Sequence, residues 1–305
     1  ATVYMSLHQF ADAKKNAELA LAINPFDADI YGVLMDANVE LGHYDVALKM
    51  CDKMMSIRPD IRSYSRVSYL RQIYGDNAGA IAAMRMAVES GAQGMENTEW
   101  ARVQLGDLYL NTGHADTAKM LYESSLYARP DYPFAEMGLA KVASSQKQYD
   151  EAITHCKNAI RVMSESSFIN YLGDLYKLKG DVTKADEVHS DVLKLMKENE
   201  EINSKEVYAR HNGNREMANA FLNANQLDDA LSFAKKDLAL RPANIDANEL
   251  VAWIYFLKHD YEQAGNYINM ALSTHSQNAG LLYKASLIFT SLAQTEKANE
   301  LMKQS

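Results

Sequence analysis

Apolar residues along this chain recur three or four positions apart in short segments, and polar or turn-forming residues separate one segment from the next. Leu105, Leu108 and Tyr109 form one such stripe. Because an α-helix completes a turn every few residues, this spacing places the apolar side chains on one helical face. The chain holds only 5 prolines and 14 glycines in 305 residues, and so few helix breakers favour helices joined by short turns. The pattern predicts an all-α protein.

A recurring alanine marks the period of the pattern. Segments of the form aromatic-x-x-Ala end at this alanine, and with weaker copies they give nine positions, which we call the anchor alanines: Ala13, Ala47, Ala80, Ala118, Ala152, Ala185, Ala230, Ala264 and Ala298. Their successive spacings are 34, 33, 38, 34, 33, 45, 34 and 34 residues. So regular a period indicates a repeat array and not one domain built around a single core.

Each repeat is interpreted as a pair of helices. A small residue such as Gly106 or Gly173 stands twelve positions before the anchor alanine, where it lets the paired helices approach closely. Glycine stands five positions before the anchor at Gly42, Gly113 and Gly180, where we predict the turn between the two helices. Proline stands twelve positions after four of the anchors and ends the second helix, because it has no N–H to continue it.

The period and this order of small, aromatic, alanine and proline positions resemble the tetratricopeptide repeat family over essentially the whole chain, and the last two repeats are similar to the C-terminal arrays of many bacterial members. The resemblance implies a right-handed α-α superhelical solenoid of about nine helix pairs. Stability is then expected to be spread over the interfaces between neighbouring repeats. Within one solenoid of residues 1–305, the predicted boundaries are a truncated repeat at 1–27 and repeats at about 28–60, 61–98, 99–132, 133–165, 166–210, 211–244, 245–278 and 279–305.

Two spacings depart from the period. The 38-residue step predicts a longer loop at residues 92–98, and the 45-residue step predicts an extended helical arm at residues 194–210. The arm has a helix-forming composition and no proline. It is interpreted either as a solvated helix or as a hinge or partner-contacting arm.

Net charge and hydropathy narrow the class of partner. The formal charge is −9, and an acidic chain without a basic stripe gains no counterion-release attraction to nucleic acid. No apolar run approaches the roughly 18 residues that a membrane span requires. We therefore expect no nucleic acid partner and no membrane insertion, and a soluble protein of the cytoplasm or of a bacterial periplasm. Cys51 and Cys156 are too few for a disulfide framework and are predicted to be small core residues.

The sequence carries no motif for catalysis. It has no His-Glu-x-x-His, no Cys-x-x-Cys, no glycine-rich phosphate loop and no Gly-x-Ser-x-Gly. His155 and Cys156 are adjacent, but neighbouring side chains on a helix point about 100° apart and do not by themselves make a metal site. His189 stands four positions after its anchor, where Cys51 and Met84 stand in other repeats, and is predicted to pack. We expect a protein that is not an enzyme, with no cofactor and no metal.

The family resemblance also implies where a partner binds. The first helices of the repeats line a concave groove, faced by the residues 18, 15, 14 and 11 positions before each anchor. These positions give the predicted partner-binding residues Arg62, Arg66, Tyr69, Trp100, Lys141, Asn170, Tyr171, Arg215, Asn219, Trp253, Tyr283 and Lys284. Tyr, Trp and Arg dominate interface hot spots, because they combine apolar area with a polar group. Trp253 is the strongest single candidate.

The leading hypothesis is a non-catalytic protein–protein interaction scaffold that binds a peptide or protein in the groove. The mixed charges of the groove favour a peptide or helix of patterned charge over a uniform polyanion. One alternative is a structural subunit of a multiprotein assembly, which makes its contacts, self-association included, through its open ends and the arm at residues 194–210. Another is a targeting module of a longer enzyme or regulator.

Overall fold

The computed structural model describes residues 1–205 and 210–304, and within those ranges it contains helices and turns but no strand. The helices are α1 (Thr2–Ser6), α2 (Phe10–Ile23), α3 (Ala28–Glu40), α4 (Tyr44–Ile57), α5 (Ile61–Ile73), α6 (Asn77–Glu89), α7 (Glu96–Asn111), α8 (Ala115–Ala128), α9 (Pro133–Ser145), α10 (Tyr149–Val162), α11 (Ser166–Lys179), α12 (Val182–Ser204), α13 (Asn214–Asn223), α14 (Leu227–Leu240), α15 (Ile245–Leu257), α16 (Tyr261–Ala271), α17 (Ala279–Ser291) and α18 (Thr295–Gln304). They follow one another in the predicted order, a first and a second helix in each repeat. The predicted all-α solenoid class is therefore confirmed.

The chain forms two compact units. The continuous unit is Asn77–Met196, and the discontinuous unit combines Ala1–Asp76 with Lys197–Ser305. The discontinuous unit thus brings together two stretches that are separated by the whole continuous unit in sequence.

The turn inside each repeat has the same backbone conformation throughout the chain. The residue five positions before every anchor alanine has a positive φ: His8, Gly42, Gly75, Gly113, Lys147, Gly180, Asn225, His259 and Ala293, with values from 54° to 90°. The anchor alanines themselves are at most 2% exposed. Because both features recur in all nine repeats, the phase predicted from the sequence is confirmed.

Small residues make room for a large one in the continuous unit. The ring of Tyr122 is fully buried between two helical glycines. A Cβ on Gly106 would lie 2.5 Å from this ring, and a Cβ on Gly138 would lie 2.4 Å from it. The Tyr122 hydroxyl donates a hydrogen bond to the Asp107 carboxylate at 2.9 Å. Glycine at both positions therefore admits an aromatic side chain where the other repeats carry smaller ones.

The loop predicted at residues 92–98 is shorter than expected, because α7 begins at Glu96 and its first turn includes the last predicted loop residues. Glu99 is fully buried. Its carboxylate accepts hydrogen bonds from the Gly94 N–H and the Arg102 Nε–H, both at 2.9 Å. The helix starts early because this buried carboxylate ties the loop to the first turn of α7.

The predicted arm is in part a continuation of α12, which runs over 23 residues to Ser204. Residues 206–209 of the arm lie outside the described residues. The Asn203 side chain donates to the His211 carbonyl at 2.7 Å and accepts from the His211 N–H at 2.8 Å. The residues that follow the arm are thus tied to the end of α12, and a role as hinge or partner contact stays a prediction.

Turns six repeats apart meet within the discontinuous unit, and we call this contact the seam. At its centre the Ile245 N–H donates to the Tyr44 hydroxyl at 2.9 Å, and the Asn244 side chain donates to the Glu40 carbonyl at 3.1 Å. The Ile245 side chain is buried in the apolar cluster that contains Tyr44 and Val39. Burial raises the pKa of the Tyr44 hydroxyl to about 12. The start of α15 is therefore inserted into the core of the early repeats.

A buried charge network lies beside this centre. Arg241 is only 2% exposed. Its Nε and Nη2 donate to the Asp237 carboxylate at 2.9 and 2.6 Å, and its Nη1 donates to the Glu40 carboxylate at 2.5 Å. Burial raises the pKa of Glu40, although the Arg241 guanidinium acts in the opposite direction. One arginine thus joins two carboxylates that are some two hundred positions apart in sequence.

Two further contacts flank the centre of the seam. On one side the Asn212 N–H donates to the Leu7 carbonyl at 2.9 Å, and the Gln9 side chain donates to the Arg210 carbonyl at 2.6 Å. On the other side the Ser276 hydroxyl donates to the Gln72 carbonyl at 3.4 Å. We call the three contacts the first rung (Leu7–Gln9 with Arg210–Asn212), the central rung (Glu40–Tyr44 with Arg241–Ile245) and the third rung (Gln72–Gly75 with His275–Gln277).

The discontinuous unit therefore has long-range contacts in addition to the contacts between neighbouring repeats that the sequence predicts. Its early repeats make direct hydrogen bonds to repeats six further on. These long-range contacts recur because the turns stand at the same position in every repeat. Where one turn meets a distant turn, the turns of the neighbouring repeats can therefore meet in the same way.

Candidate partner-binding surface

All twelve predicted partner-binding residues lie on first helices of the repeats. In the discontinuous unit they are Arg62, Arg66 and Tyr69 on α5, Arg215 and Asn219 on α13, Trp253 on α15, and Tyr283 and Lys284 on α17. In the continuous unit they are Trp100 on α7, Lys141 on α9, and Asn170 and Tyr171 on α11. In each unit we call the surface that carries these residues the first-helix face.

The arginines of α5 are paired with carboxylates of the preceding first helix. Arg66 donates through Nε and Nη2 to the two oxygens of Asp36, at 2.9 and 2.6 Å. Arg62 donates to Asp29 at 2.8 Å. Asp29 also accepts from Arg58, and this bond, with burial opposing it, lowers the pKa of Asp29. These cations are held in place by neighbouring repeats.

The lysines of this face are paired in the same way. Lys141 on α9 donates to Asp107 on α7 at 3.0 Å, and Lys284 on α17 donates to Glu249 on α15 at 2.7 Å. Arg215 on α13 lies 3.8 Å from Asp246 on α15. These cations are therefore held in ion pairs between consecutive first helices.

The sequence did contain a signal for this pairing. Each pair joins residues on consecutive first helices, 30 to 35 positions apart, close to one repeat period. Side chains that are one period apart face each other when the helices pack side by side. A list of single groove residues does not reveal these ion pairs, because they become visible only when the charged residues of one repeat are compared with those of the next.

Aromatic side chains give the face its exposed apolar area. In the discontinuous unit Trp253 stacks on Phe256, with ring centroids 5.0 Å apart. The Lys284 ammonium lies 5.7 Å from the centroid of the Trp253 ring. Tyr283 beside it is 49% exposed. These residues bring together a half-buried indole, an exposed phenol and a fixed charge on α15 and α17.

Tyr69 on α5 is 42% exposed. Burial raises the pKa of its hydroxyl, and the carboxylates of Asp246 and Glu40 raise it further. Tyr69 lies on α5, whose Leu70 and Ile73 share an apolar cluster with Ile245 of α15, a first helix five repeats further along the chain. This proximity was not predicted.

In the continuous unit the predicted residues differ in exposure. Trp100 is 38% exposed, whereas Asn170 and Tyr171 are half-buried. The buried side-chain oxygen of Asn170 has no hydrogen-bond partner within the described parts of the chain. Burial raises the pKa of the Tyr171 hydroxyl. In the other unit the Asn219 side chain donates to the Arg215 carbonyl at 3.0 Å.

The histidines and cysteines considered in the sequence are used in packing. His155 Nδ1 lies 2.6 Å from the Glu136 carboxylate, and the Cys156 thiol donates to the Phe168 carbonyl at 3.4 Å. His189 is buried, as predicted, against Gly173. Within residues 1–205 and 210–304, no group of three His, Cys, Asp or Glu side chains is placed to hold a metal ion.

Residues 101–132, which span most of α7 and all of α8, match the family model described as "Tetratricopeptide repeat". This segment is one of the helix pairs whose phase recurs along the chain. The chain contains a tetratricopeptide repeat at these residues.

Several known proteins are similar to it. The cellulose synthase operon protein C of Pseudomonas fluorescens (strain SBW25) is 28% identical over 137 residues, which is 42% of this chain and 10% of that protein. A chain of the APC/C hetero-tetramer Cut9–Hcn1 aligns with a TM-score of 0.51 at 14% identity, over 97% of this chain and 52% of that one. BtubC (BKLC) from P. vanneervenii aligns with a TM-score of 0.49 at 15% identity, over 64% of this chain and 91% of that one. The chain thus spans a tenth of the operon protein and about half of the Cut9–Hcn1 chain.

The likeness to the Cut9–Hcn1 chain shows the fold alone, and tetratricopeptide repeats generally mediate protein–protein interaction or assembly. Among the described helices, none is both long enough and apolar enough to span a membrane.

Proposed function

We propose that this tetratricopeptide repeat chain is a non-catalytic interaction scaffold, and that its first-helix face binds a peptide or protein partner. In the discontinuous unit we place the main contact on α15 and α17, around Trp253 and Tyr283. The family resemblance implies that this face is concave, which suits an extended or helical segment of a partner.

One observation supports the proposal above the others. Trp253 and Tyr283 present aromatic surface beside a fixed ion pair between Lys284 and Glu249. Aromatic side chains with a polar group nearby are the typical centre of an interface hot spot. Because the ion pair is already formed, a partner does not have to immobilise a free lysine when it binds.

The ion pairs of this face favour one kind of partner over another. Arg62, Arg66, Lys141 and Lys284 each have a carboxylate partner, so a strongly acidic peptide would have to compete with these carboxylates. A partner with apolar or aromatic anchors and a few hydrogen-bonding groups fits better. This refines the patterned-charge partner expected from the sequence.

The test is an affinity capture from an extract of the source cells with three forms of the protein. They are the wild type, the double variant Trp253→Ala/Tyr283→Ala, and the control Tyr127→Ala. Tyr127 lies on α8, a second helix, and is 86% exposed, so the control removes an exposed aromatic from outside the first-helix face. Far-UV circular dichroism verifies that all three forms are folded.

We expect the double variant to lose proteins that the wild type and the Tyr127 variant both retain. With purified partner, two hot-spot truncations should weaken the Kd by at least about 100-fold. Retention of the same proteins by all three forms would contradict binding on α15 and α17. Arg66 is unsuitable for this test, because Arg66→Glu would leave two carboxylates facing each other where Asp36 is now paired.

A further inference from the structure

The two sides of the seam are preformed, and the turns show this directly. Gly42 in the central rung has φ +78°, and a Cβ built on it would lie 2.3 Å from the Ala243 carbonyl carbon. Gly113 occupies the same place in its repeat with φ +81°, and no atom of the described residues lies within 4 Å of a Cβ there. The turn therefore keeps its conformation without a docked partner.

The buried charges also retain a partner when the seam is apart. Arg241 makes two of its three hydrogen bonds to Asp237, four residues earlier in the same segment of chain. Only the third bond, to Glu40, crosses the seam. Separation of the two sides would return Glu40 to water and leave the Arg241–Asp237 pair intact. No buried charge is then left unpaired. An unpaired buried charge is what makes it costly in free energy to break such a network.

The start of α15 is equally self-sufficient. The Asn244 side chain caps the helix by accepting from the Ala247 N–H at 2.9 Å. This cap lies within one segment and does not depend on the seam. The Ile245 side chain is the principal apolar group that the seam buries, in the cluster with Tyr44 and Val39.

Neighbouring repeats in this unit pack helix against helix, whereas the seam is made by turns, one inserted isoleucine and the ring contacts of His8 with His211 and of Phe10 with Arg241. Interfaces with few apolar contacts and with preformed sides open at lower free energy than packed helices. We propose that the seam is a latch, whose three rungs open and close together while the helix pairs on both sides stay folded. This goes beyond the proposed function, because it concerns a motion of the chain alone.

The closed latch has a consequence for the first-helix face. It holds α5 and α15 together, because Leu70 and Ile73 of α5 lie in one apolar cluster with Ile245 of α15. When the latch opens, these parts of the face separate. The discontinuous unit thus has two states that differ in which first helices are neighbours.

The glycine turns provide a variant and a matched control. Gly42→Ala places a methyl group against backbone atoms of Ala243 and Asn244, which a side-chain rotation cannot relieve. Gly113→Ala introduces the same residue into the same left-handed turn, where there is open space. Ala293 already occupies this turn position in the last repeat with φ +57°, so alanine is compatible with the turn itself.

The readout is native-state hydrogen–deuterium exchange, resolved to single amides. The Ile245 N–H reports on the central rung, because its acceptor is the Tyr44 hydroxyl. The Asn212 N–H reports on the first rung, because its acceptor is the Leu7 carbonyl. The Lys258 N–H, bonded to Ile254 at the other end of α15, reports on unfolding of that helix.

We expect Gly42→Ala to speed exchange at Ile245 and at Asn212 by at least tenfold, with the Lys258 rate within twofold of the wild type. Gly113→Ala should leave Ile245 and Asn212 within twofold. Faster exchange at Ile245 alone would show that the rungs open separately and would overturn the latch. Equal acceleration at Lys258 would mean that α15 unfolds, and equal effects of both variants would mean that no closed seam exists in solution. Either result also overturns it.

Discussion

Replacement of Arg241 by methionine should destabilise the discontinuous unit more than almost any other single substitution. Methionine fills a similar length but carries no charge and makes none of the three hydrogen bonds. Asp237, whose side chain is only 4% exposed, is then left as an unpaired buried carboxylate. Breaking a buried ion pair by removing one partner destabilises a protein by about 3–5 kcal/mol. The Glu40 side chain is 28% exposed and can regain water, so most of the loss comes from Asp237.

The assay can be made specific to this unit, because the chain has 2 tryptophans. In a Trp100→Phe background, Trp253 is the single remaining indole, and it lies in the same unit as Arg241. Urea unfolding followed by its fluorescence then reports on that unit. With a urea dependence of about 2 kcal/mol per molar, the loss corresponds to a midpoint lower by about 1.5–2.5 M.

A second variant separates the unpaired charge from the lost packing. Arg241→Met/Asp237→Leu removes both members of the buried pair, so that no carboxylate remains unpaired at that place. Apolar replacement of a whole buried pair is often neutral or stabilising, and we expect the midpoint to recover to within about 0.5 M of the wild type. An Arg241→Met midpoint equal to that of the wild type would refute the reasoning, because it would mean that Asp237 is solvated.

Three further outcomes follow from the continuous unit and the cysteines. Gly173→Leu should destabilise its helix pair by about 1–3 kcal/mol in thermal unfolding, because a Cβ there would lie 2.3 Å from the His189 ring. Adding His189→Ala should restore most of the lost stability. An unchanged melting temperature of the single variant would refute the clash. The hydrogen bond that the His189 ring donates to the Asp174 carboxylate raises the pKa of His189 above 6.5. Its contribution to stability is therefore fully present below pH 6.5 and is lost as the pH rises through the raised pKa. Melting temperatures of the His189→Ala variant should lack this loss. Burial raises the pKa of Cys51 to about 11 and that of Cys156 to about 12. Neither thiol should therefore react with a disulfide reagent at pH 8 until the protein unfolds. Fast labelling of the native protein would contradict the burial of these thiols.

The sequence was sufficient to predict the features that repeat. The anchor alanines and the glycine turns each satisfy a local requirement, which is a close helix contact or a positive φ. The turn conformation recurs even where the residue is Lys147 or Asn225, since the frame of the array imposes it. Periodicity therefore predicted backbone geometry at positions where the residue type alone would not.

The charges of the first-helix face were harder to interpret. Arg66 was assigned to this face as a separate contact for a partner, and Asp36 stands 11 positions before its own anchor alanine, which is also a position that faces the groove. The structure pairs them across consecutive first helices. Whether a charged side chain is free depends on the packing of its neighbours, which a list of positions does not contain. The aromatic members Trp253 and Tyr283 depend less on such pairing, and for this reason the proposed site is centred on them.

The seam has no local signal in the sequence. Gly42 and Gly113 occupy the same place in their repeats and have nearly the same φ, yet one meets backbone atoms of a distant turn and the other meets open space. The difference depends on how far each repeat is rotated relative to the next, summed over six repeats. Small errors in each step accumulate over that distance, so periodicity alone cannot predict the contact.

The phase of the rungs nevertheless argues that the seam is a property of the repeat frame. The early partners (Leu7–Gln9, Glu40–Tyr44 and Gln72–Gly75) all lie three to eight positions before an anchor alanine. The late partners (Arg210–Asn212, Arg241–Ile245 and His275–Gln277) all lie 18 to 23 positions before the anchor six repeats further on. An accidental contact would have no reason to keep this phase three times. The extra residues of the 45-residue step precede Arg210 and include the extension of α12, so they do not alter the phase of the first rung. An insertion at that point is compatible with the seam, whereas one between Arg210 and Ala230 would shift the first rung relative to the other two.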